Sequence, residues 1–305
     1  MQIAAAYSTI GFVITRTAQV LCIIACILAG AAPARAELRP EQAEKNRPVA
    51  PFQIIGNVYY VGASDVTSYL IRTSEGLILL DGGFAETAPQ IKANIATLGF
   101  EVEDIKLLLN GHAHPDHTGG LPAMKQASSA QLLAVQEEVV PLEHNGRGTF
   151  YRGDRRLFDD MKVDRVVASG EPIGFGDVTI TPYRTPGHSP GCTTWTTQVR
   201  EGGRQYNVVF VCQLTVPHGE SLTHNENYPQ IAADFALTFE RLRALPCDVF
   251  LAEHGTAFDL AGKIQRMAQR PATNPFIDPD GYQRHVEQSQ REFKEALAHE
   301  QAAAR

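Results

Sequence analysis

The chain is poor in cysteine, with five among 305 residues and no C-x-x-C spacing. A disulfide-stapled scaffold is therefore excluded. Cys22 and Cys26 lie in the N-terminal stretch. Cys192, Cys212 and Cys247 remain, which permits at most one internal bridge, and the simplest expectation is three small buried hydrophobes. Positive charge is also scarce: 27 Lys+Arg face 34 Asp+Glu, a net of −7. The basic footprint that nucleic-acid binding needs is missing, and so is a polybasic patch for a membrane surface. No repeat of fixed period occurs. What is present is ordinary globular composition, 44% apolar with Gly and Pro well spread.

The first 36 residues contain Arg16 and Arg35 and no acidic residue. Their apolar run, Val20 to Ala32, is too short to span a bilayer comfortably. Ala34-Arg35-Ala36 supplies a small-x-small pattern before the polar Glu37. The segment reads as a secretory signal cleaved after Ala36, which implies a periplasmic protein with no stable membrane association after cleavage. The remainder carries 25 basic and 34 acidic groups, a net of −9. Residues 37–51, with Pro40 and Pro48, read as an N-terminal linker. Residues 52–305 then form one domain, long enough to bury a sizeable core.

Short β-type runs come first: Phe52–Ile55, Val58–Val61, Val66–Arg72 and Gly76–Leu80, the last two separated by a turn at Thr73-Ser74-Glu75. Glu86 to Leu98 carries Ile91, Ile95 and Leu98 on one helical stripe. Ile105–Leu109 is a continuous apolar run, as for a strand buried on both faces. Gln131–Val135 lies between helical segments Leu121–Gln126 and Glu137–Leu142. Gly146 to Asp160 reads as a surface loop. Val163–Val167, Val178–Tyr183, Thr193–Val199 and Tyr206–Cys212 form a second set of strands. A helix over Ile231–Leu245, a buried strand Val249–Ala252 and a C-terminal helix over 282–304 follow. The order suits an α+β fold of two packed sheets with helices outside.

Three of the ten histidines crowd into His112-Ala113-His114-Pro115-Asp116-His117. An i, i+2 pair on extended backbone points both imidazoles to one face. Pro115 turns the chain away from that line, so Asp116 and His117 face a second nearby point. The segment follows a buried strand, where ligand sites in αβ proteins gather. Imidazoles with a carboxylate suit zinc or a similar borderline metal. His188, in Thr185-Pro186-Gly187-His188-Ser189-Pro190-Gly191, and His254, in Glu253-His254-Gly255, also stand at strand ends. Each alone would more often be a structural histidine. Together with the hexapeptide they complete six ligands, enough for two metals. His144, His218, His224, His285 and His299 lack such contexts and read as surface residues.

This assembly resembles the metallo-β-lactamase superfamily from about Phe52 onward, and within it the third subclass of class B β-lactamases. The stretches carrying the resemblance are Gly111–Gly120, Thr185–Trp195, Ala244–Asp248 and Asn274–Ile277. It implies a four-layer αβ/βα sandwich with two Zn2+ at one edge of the sheets. His112, His114 and His188 would hold the first zinc, and Asp116, His117 and His254 the second. The implied reaction is zinc-dependent hydrolysis of the β-lactam amide of a small antibiotic, with hydroxide available at neutral pH and Asp116 as the catalytic carboxylate. Asp81, in Leu80-Asp81-Gly82-Gly83, either orients an imidazole from behind or simply forms an Asp-Gly turn.

Two positions depart from the resembled pattern. Gln213 stands where the third subclass has Ser, with Cys212 beside it, and this puts in doubt how a substrate carboxylate is held. Gly111 stands where Thr is more usual. Thr215 matches a small hydroxyl residue that contacts substrate, so Gln213 and Thr215 are the candidate substrate-binding residues. Lactone and thioester hydrolases of the superfamily usually place a bridging Asp near Gln213. Its absence counts against that alternative. A mono-iron oxidoreductase of the same fold is separable by metal content.

Overall fold

In the computed structural model, which describes residues 38–147, 149 and 155–303, the alternating runs from Phe52 to Leu80 become four consecutively paired antiparallel strands. These are β1 (Phe52–Ile55), β2 (Val58–Tyr60), β3 (Tyr69–Thr73) and β4 (Gly76–Leu80). Three parallel neighbours extend the sheet to seven strands: β5 (Ile105–Leu109), β6 (Gln131–Ala134) and the two-residue β7 (Arg165–Val166). The second sheet has five strands in the order β12-β11-β10-β9-β8. They are β8 (Ile173–Phe175), β9 (Val178–Arg184), β10 (Thr193–Glu201), β11 (Arg204–Val211) and β12 (Val249–Ala252).

The period of two along each strand decides which core a side chain joins. Ile78, Leu80, Leu107 and Leu109 meet Trp195, Phe210 and Leu251 between the sheets. Leu77, Leu79, Ile105 and Leu108 point the other way. There they pack with Ile91 and Ile95 of helix α2 (Ala88–Thr97) and with Leu121 and Met124 of α4 (Leu121–Ser128). On the second sheet's far side, Phe235 and Phe239 of α6 (Ile231–Ala244) meet Phe293 of α8 (Pro279–Ala303), with ring centroids 5.2 and 5.7 Å apart. Helices therefore cover both sheets, giving the expected αβ/βα sandwich. Pro40–Arg305 clusters as one compact unit.

The segment expected as a linker carries helix α1 (Pro40–Lys45). The Lys45 carbonyl accepts the amides of Asp65 and Val66 at 2.9 and 3.1 Å. This contact docks the 61–68 loop, whose Thr67 amide also donates to the Glu253 carbonyl at 3.2 Å, and β3 starts at Tyr69 rather than Val66. The expected signal segment lies outside the described residues, and so does part of the expected loop 146–160. Among the described residues, no helix is long and apolar enough to cross a membrane.

The cysteine expectation is corrected. Cys192 and Cys212 are joined in a disulfide with Cα atoms 5.9 Å apart, and only Cys247 is free among the described residues. The cause is register. The β10–β11 hairpin pairs Trp195 with Phe210, so the residues just beyond those strand ends meet.

Candidate metal centre

The first ligand loop leaves β5 through Asn110, whose carbonyl accepts the indole N–H of the single tryptophan, Trp195, at 3.0 Å. His114 keeps an extended backbone (φ −96°, ψ 152°) and Pro115 opens the one-turn helix α3 (Pro115–Thr118). Thr118 fastens the loop by donating its hydroxyl to the His112 carbonyl at 3.0 Å. The turn then packs tightly under the strand β4 exit. A Cβ on Gly120 would lie 2.1 Å from the Gly82 carbonyl oxygen, so this position must stay without a side chain. His188 follows β9, and His254 follows β12.

These three segments bring the six candidate ligands together in two triplets. His112, His114 and His188 offer nitrogen atoms within 4.8 Å of one another, and an Asp116 oxygen with nitrogens of His117 and His254 lies within the same span. The triplets adjoin: the His112 and His117 ring centroids are 4.6 Å apart. In the first, His188 Nε2 lies 3.1 Å from His114 Nδ1. In the second, Asp116 Oδ2 lies 3.7 Å from both His117 Nε2 and His254 Nε2.

Whether these residues fit a metal is decided by buried nitrogens. His112 Nε2 and both ring nitrogens of His117 are buried without a hydrogen-bond partner. A buried polar nitrogen left unpaired costs on the order of 1–3 kcal/mol. Cations at the two triplets would give His112 Nε2 and His117 Nε2 partners, while His117 Nδ1 faces the Asp81 carboxylate at 3.7 Å, so the residues fit. Protonation suits the same use at three of the histidines, whereas at His112 burial is outweighed by the Glu253 carboxylate, which raises it to about 9, so a cation there would displace a proton. Burial, then the neighbouring imidazoles, push His114 and His188 down, His188 to about 3. Burial likewise pushes His117 down. Burial opposes the charge on Asp116, but His254, His114 and His112 together hold it below the usual carboxylate range.

Side chains behind the histidines fix their orientation. Asp65 Oδ2 lies 3.0 Å from His254 Nδ1, while its Oδ1 accepts the Thr256 amide at 2.8 Å. His188 Nδ1–H donates to the Thr215 carbonyl at 2.7 Å. Asp81, 1% exposed, accepts the Gly111 amide at 2.8 Å, and its other oxygen lies 3.7 Å from His117 Nδ1. It also holds a positive φ of 60°. The Asp-Gly turn and the carboxylate behind the histidine are thus the same residue. Burial, then the Glu253 charge, push its carboxyl upward. Buried Glu138 ties two ligand loops together, accepting from Ala113 N–H at 2.9 Å and from the Ser189 hydroxyl at 2.7 Å.

Gln213 and Thr215 sit beside the first triplet. The Gln213 amide Nε2 donates to Thr215 Oγ1 at 2.9 Å. Both line a cavity of about 670 Å³ together with Asp65, Gln288 and His254, and His254 alone of the six candidate ligands reaches it. A larger groove, about 1000 Å³, is lined by Thr179, Thr181, Gln198 and Asn207 and holds none of the candidate ligands. His285, expected at the surface, is instead half-buried against the Phe250 ring at 5.2 Å, and burial pushes it down to about 4. Asp65, Glu138 and Glu253 were missed as orienting residues. Asp65 and Glu138 carry no local signal. Glu253 did, as a charge ending the otherwise apolar Val249–Ala252 strand.

Residues 61–254 match the family described as the metallo-beta-lactamase superfamily. Native FEZ-1 metallo-beta-lactamase from Legionella gormanii superposes with a TM-score of 0.80 and 38% identity, covering 83% of this chain and 97% of that one. BJP-1 of Bradyrhizobium japonicum, a subclass B3 metallo-beta-lactamase, superposes at 0.79 and 38%, covering 86% and 98%. Among curated proteins, the N-acyl homoserine lactonase AttM of Agrobacterium fabrum is 31% identical over 33% of this chain and 38% of its own length. The chain spans 58% and 36% of the lengths of the first two curated relatives it matches. With a family match covering well over half its residues and two sheets carrying the fold, the chain belongs to the metallo-β-lactamase superfamily.

Proposed function

We propose that the chain is a di-zinc β-lactamase exported to the periplasm. The observation that carries this reading is the pair of adjoining ligand triplets with orphaned, buried imidazole nitrogens. Zinc bound there would supply Lewis acidity and make hydroxide available at neutral pH. His112, His114 and His188 would hold one ion. Asp116, His117 and His254 would hold the other. Asp116 is 24% exposed and stays ionised, so it can orient the attacking water and carry a proton to the departing lactam nitrogen. Gln213 and Thr215 offer an amide and a hydroxyl to the substrate's polar groups beside the first triplet, where the Thr215 carbonyl accepts from His188.

A lactone or thioester hydrolase is the second reading, supported by the partial likeness to AttM. The residues near the expected bridging carboxylate are Gln213 and a disulfide-bonded Cys212, which favours the lactamase. The disulfide also suits an oxidising compartment, in keeping with export. The deciding experiment is turnover of a chromogenic cephalosporin by purified, zinc-loaded protein, with loss on EDTA treatment and return with zinc. No turnover at two zincs per chain would refute the β-lactamase reading. One iron per chain would point to the oxidoreductase. N-terminal sequencing of the periplasmic form, starting at Glu37, checks export.

A further inference from the structure

We infer that Gly111 and Glu253 form a complementary pair, in which the missing side chain at 111 makes room for a buried carboxylate that positions His112. The inference rests on the proposed metal role of His112. Gly111 has no conformational need for glycine, since its φ is not positive. Its requirement is spatial. A Cβ there would lie 1.7 Å from Glu253 Oε1 and 2.8 Å from Glu253 Cδ. The backbone cannot move aside, because the Gly111 amide donates to Asp81 Oδ1 at 2.8 Å and its carbonyl accepts the Thr193 amide at 2.8 Å. Any side chain at 111 must therefore displace the carboxylate.

That carboxylate is built in. Glu253 is 6% exposed. Oε2 accepts the Gln213 amide at 2.7 Å and Oε1 lies 3.1 Å from His112 Nδ1. His112 is fully buried and its Nε2 has no partner. The Glu253 contact therefore fixes Nδ1 as the protonated nitrogen and turns the Nε2 lone pair toward the first triplet. Asp65 does the same for His254 across the other triplet. Glu253 is thus a positioning residue for the first metal, and the same carboxylate anchors the backbone N–H of Gln213 beside the cavity.

The test compares Glu253→Ala, Gly111→Ala and the double variant with wild-type protein, by zinc titration, cobalt(II) absorption and thermal melting. Glu253→Ala should weaken zinc at one of two sites by about 10- to 100-fold and change the cobalt spectrum. Gly111→Ala should do the same and also melt lower. Adding Glu253→Ala to Gly111→Ala should restore the melting temperature but not the zinc affinity, which separates positioning from packing. Wild-type zinc affinity and cobalt spectrum in Glu253→Ala would overturn the inference, and so would melting effects that simply add in the double variant. Wild-type protein that takes up no zinc would overturn the metal reading beneath it.

Discussion

Burial pushes His188 from its ordinary value of 6.5 to about 3, with the nearby His112 adding to the effect and the Thr215 carbonyl opposing it. Between those two values the unfolded imidazole binds a proton that the folded one refuses. Stability from this group is therefore complete above about pH 6.5 and is lost as the pH falls toward 3. The melting temperature of metal-free protein should drop over that window, and His188→Asn should flatten part of the slope. An unchanged slope in the variant would refute the assignment. In the zinc-loaded protein, His188→Ala should remove metal and activity together, because Nε2 faces His114 across 3.1 Å while Nδ1 is spent on Thr215. Retained activity would contradict the ligand set. The sequence exposed the histidines because three in six residues cannot share one loop without a partner. It hid Asp65, which reaches His254 from 189 residues away.

At the scale of elements, helix α5 (Gln136–Glu143) does more than cover a sheet. Its Glu138 accepts from the 112–114 loop and the 188–189 loop at once. Glu138→Ala would leave two buried donors without an acceptor, at a cost of about 1–3 kcal/mol each, and would free both ligand loops. Chemical denaturation should show that loss, and zinc titration should show weaker binding; a variant as stable as wild type would contradict the clamp. The disulfide closing the β10–β11 hairpin spans a sequence separation of 20. Replacing both cysteines by serine should cost about 3 kcal/mol on the loop-entropy estimate, readable by the same denaturation curves. Even short strands were legible where β-type residues ran unbroken, as at Val58–Tyr60. Ile173–Phe175 is just as short, but Gly174 interrupts it and it showed no run. Helix α7 (Leu260–Ala268) escaped because its inward face carries Lys263, an ammonium 3.0 Å from Asp278 and within 5.8 Å of three aromatic rings. A charged residue in that place defeats any stripe of apolar positions.

Across the whole molecule, the candidate ligands divide between the two sheets. His112, His114, Asp116 and His117 follow a strand of the seven-stranded sheet, and His188 and His254 follow strands of the five-stranded one. This division made a single domain legible in the sequence, since cutting the chain between the halves would cut the site. The packing angle and the partners behind each histidine were not legible, because they arise only once the sheets meet. A cation held by ligands from both sheets binds the folded state and not the unfolded chain. At a thousandfold excess over its dissociation constant, it should add about 4 kcal/mol of stability. EDTA should therefore lower the melting temperature of the whole protein in one transition, and added zinc should restore it. His112→Ala, on the first sheet's loop, and His254→Ala, on the second's, should each remove part of the zinc-dependent increment while leaving the EDTA-treated melting temperature closer to wild type. If zinc raised the melting temperature equally in both variants and in wild type, the ion would be binding elsewhere. If only one variant lost the increment, the metal would be stabilising one sheet's loops rather than joining the two.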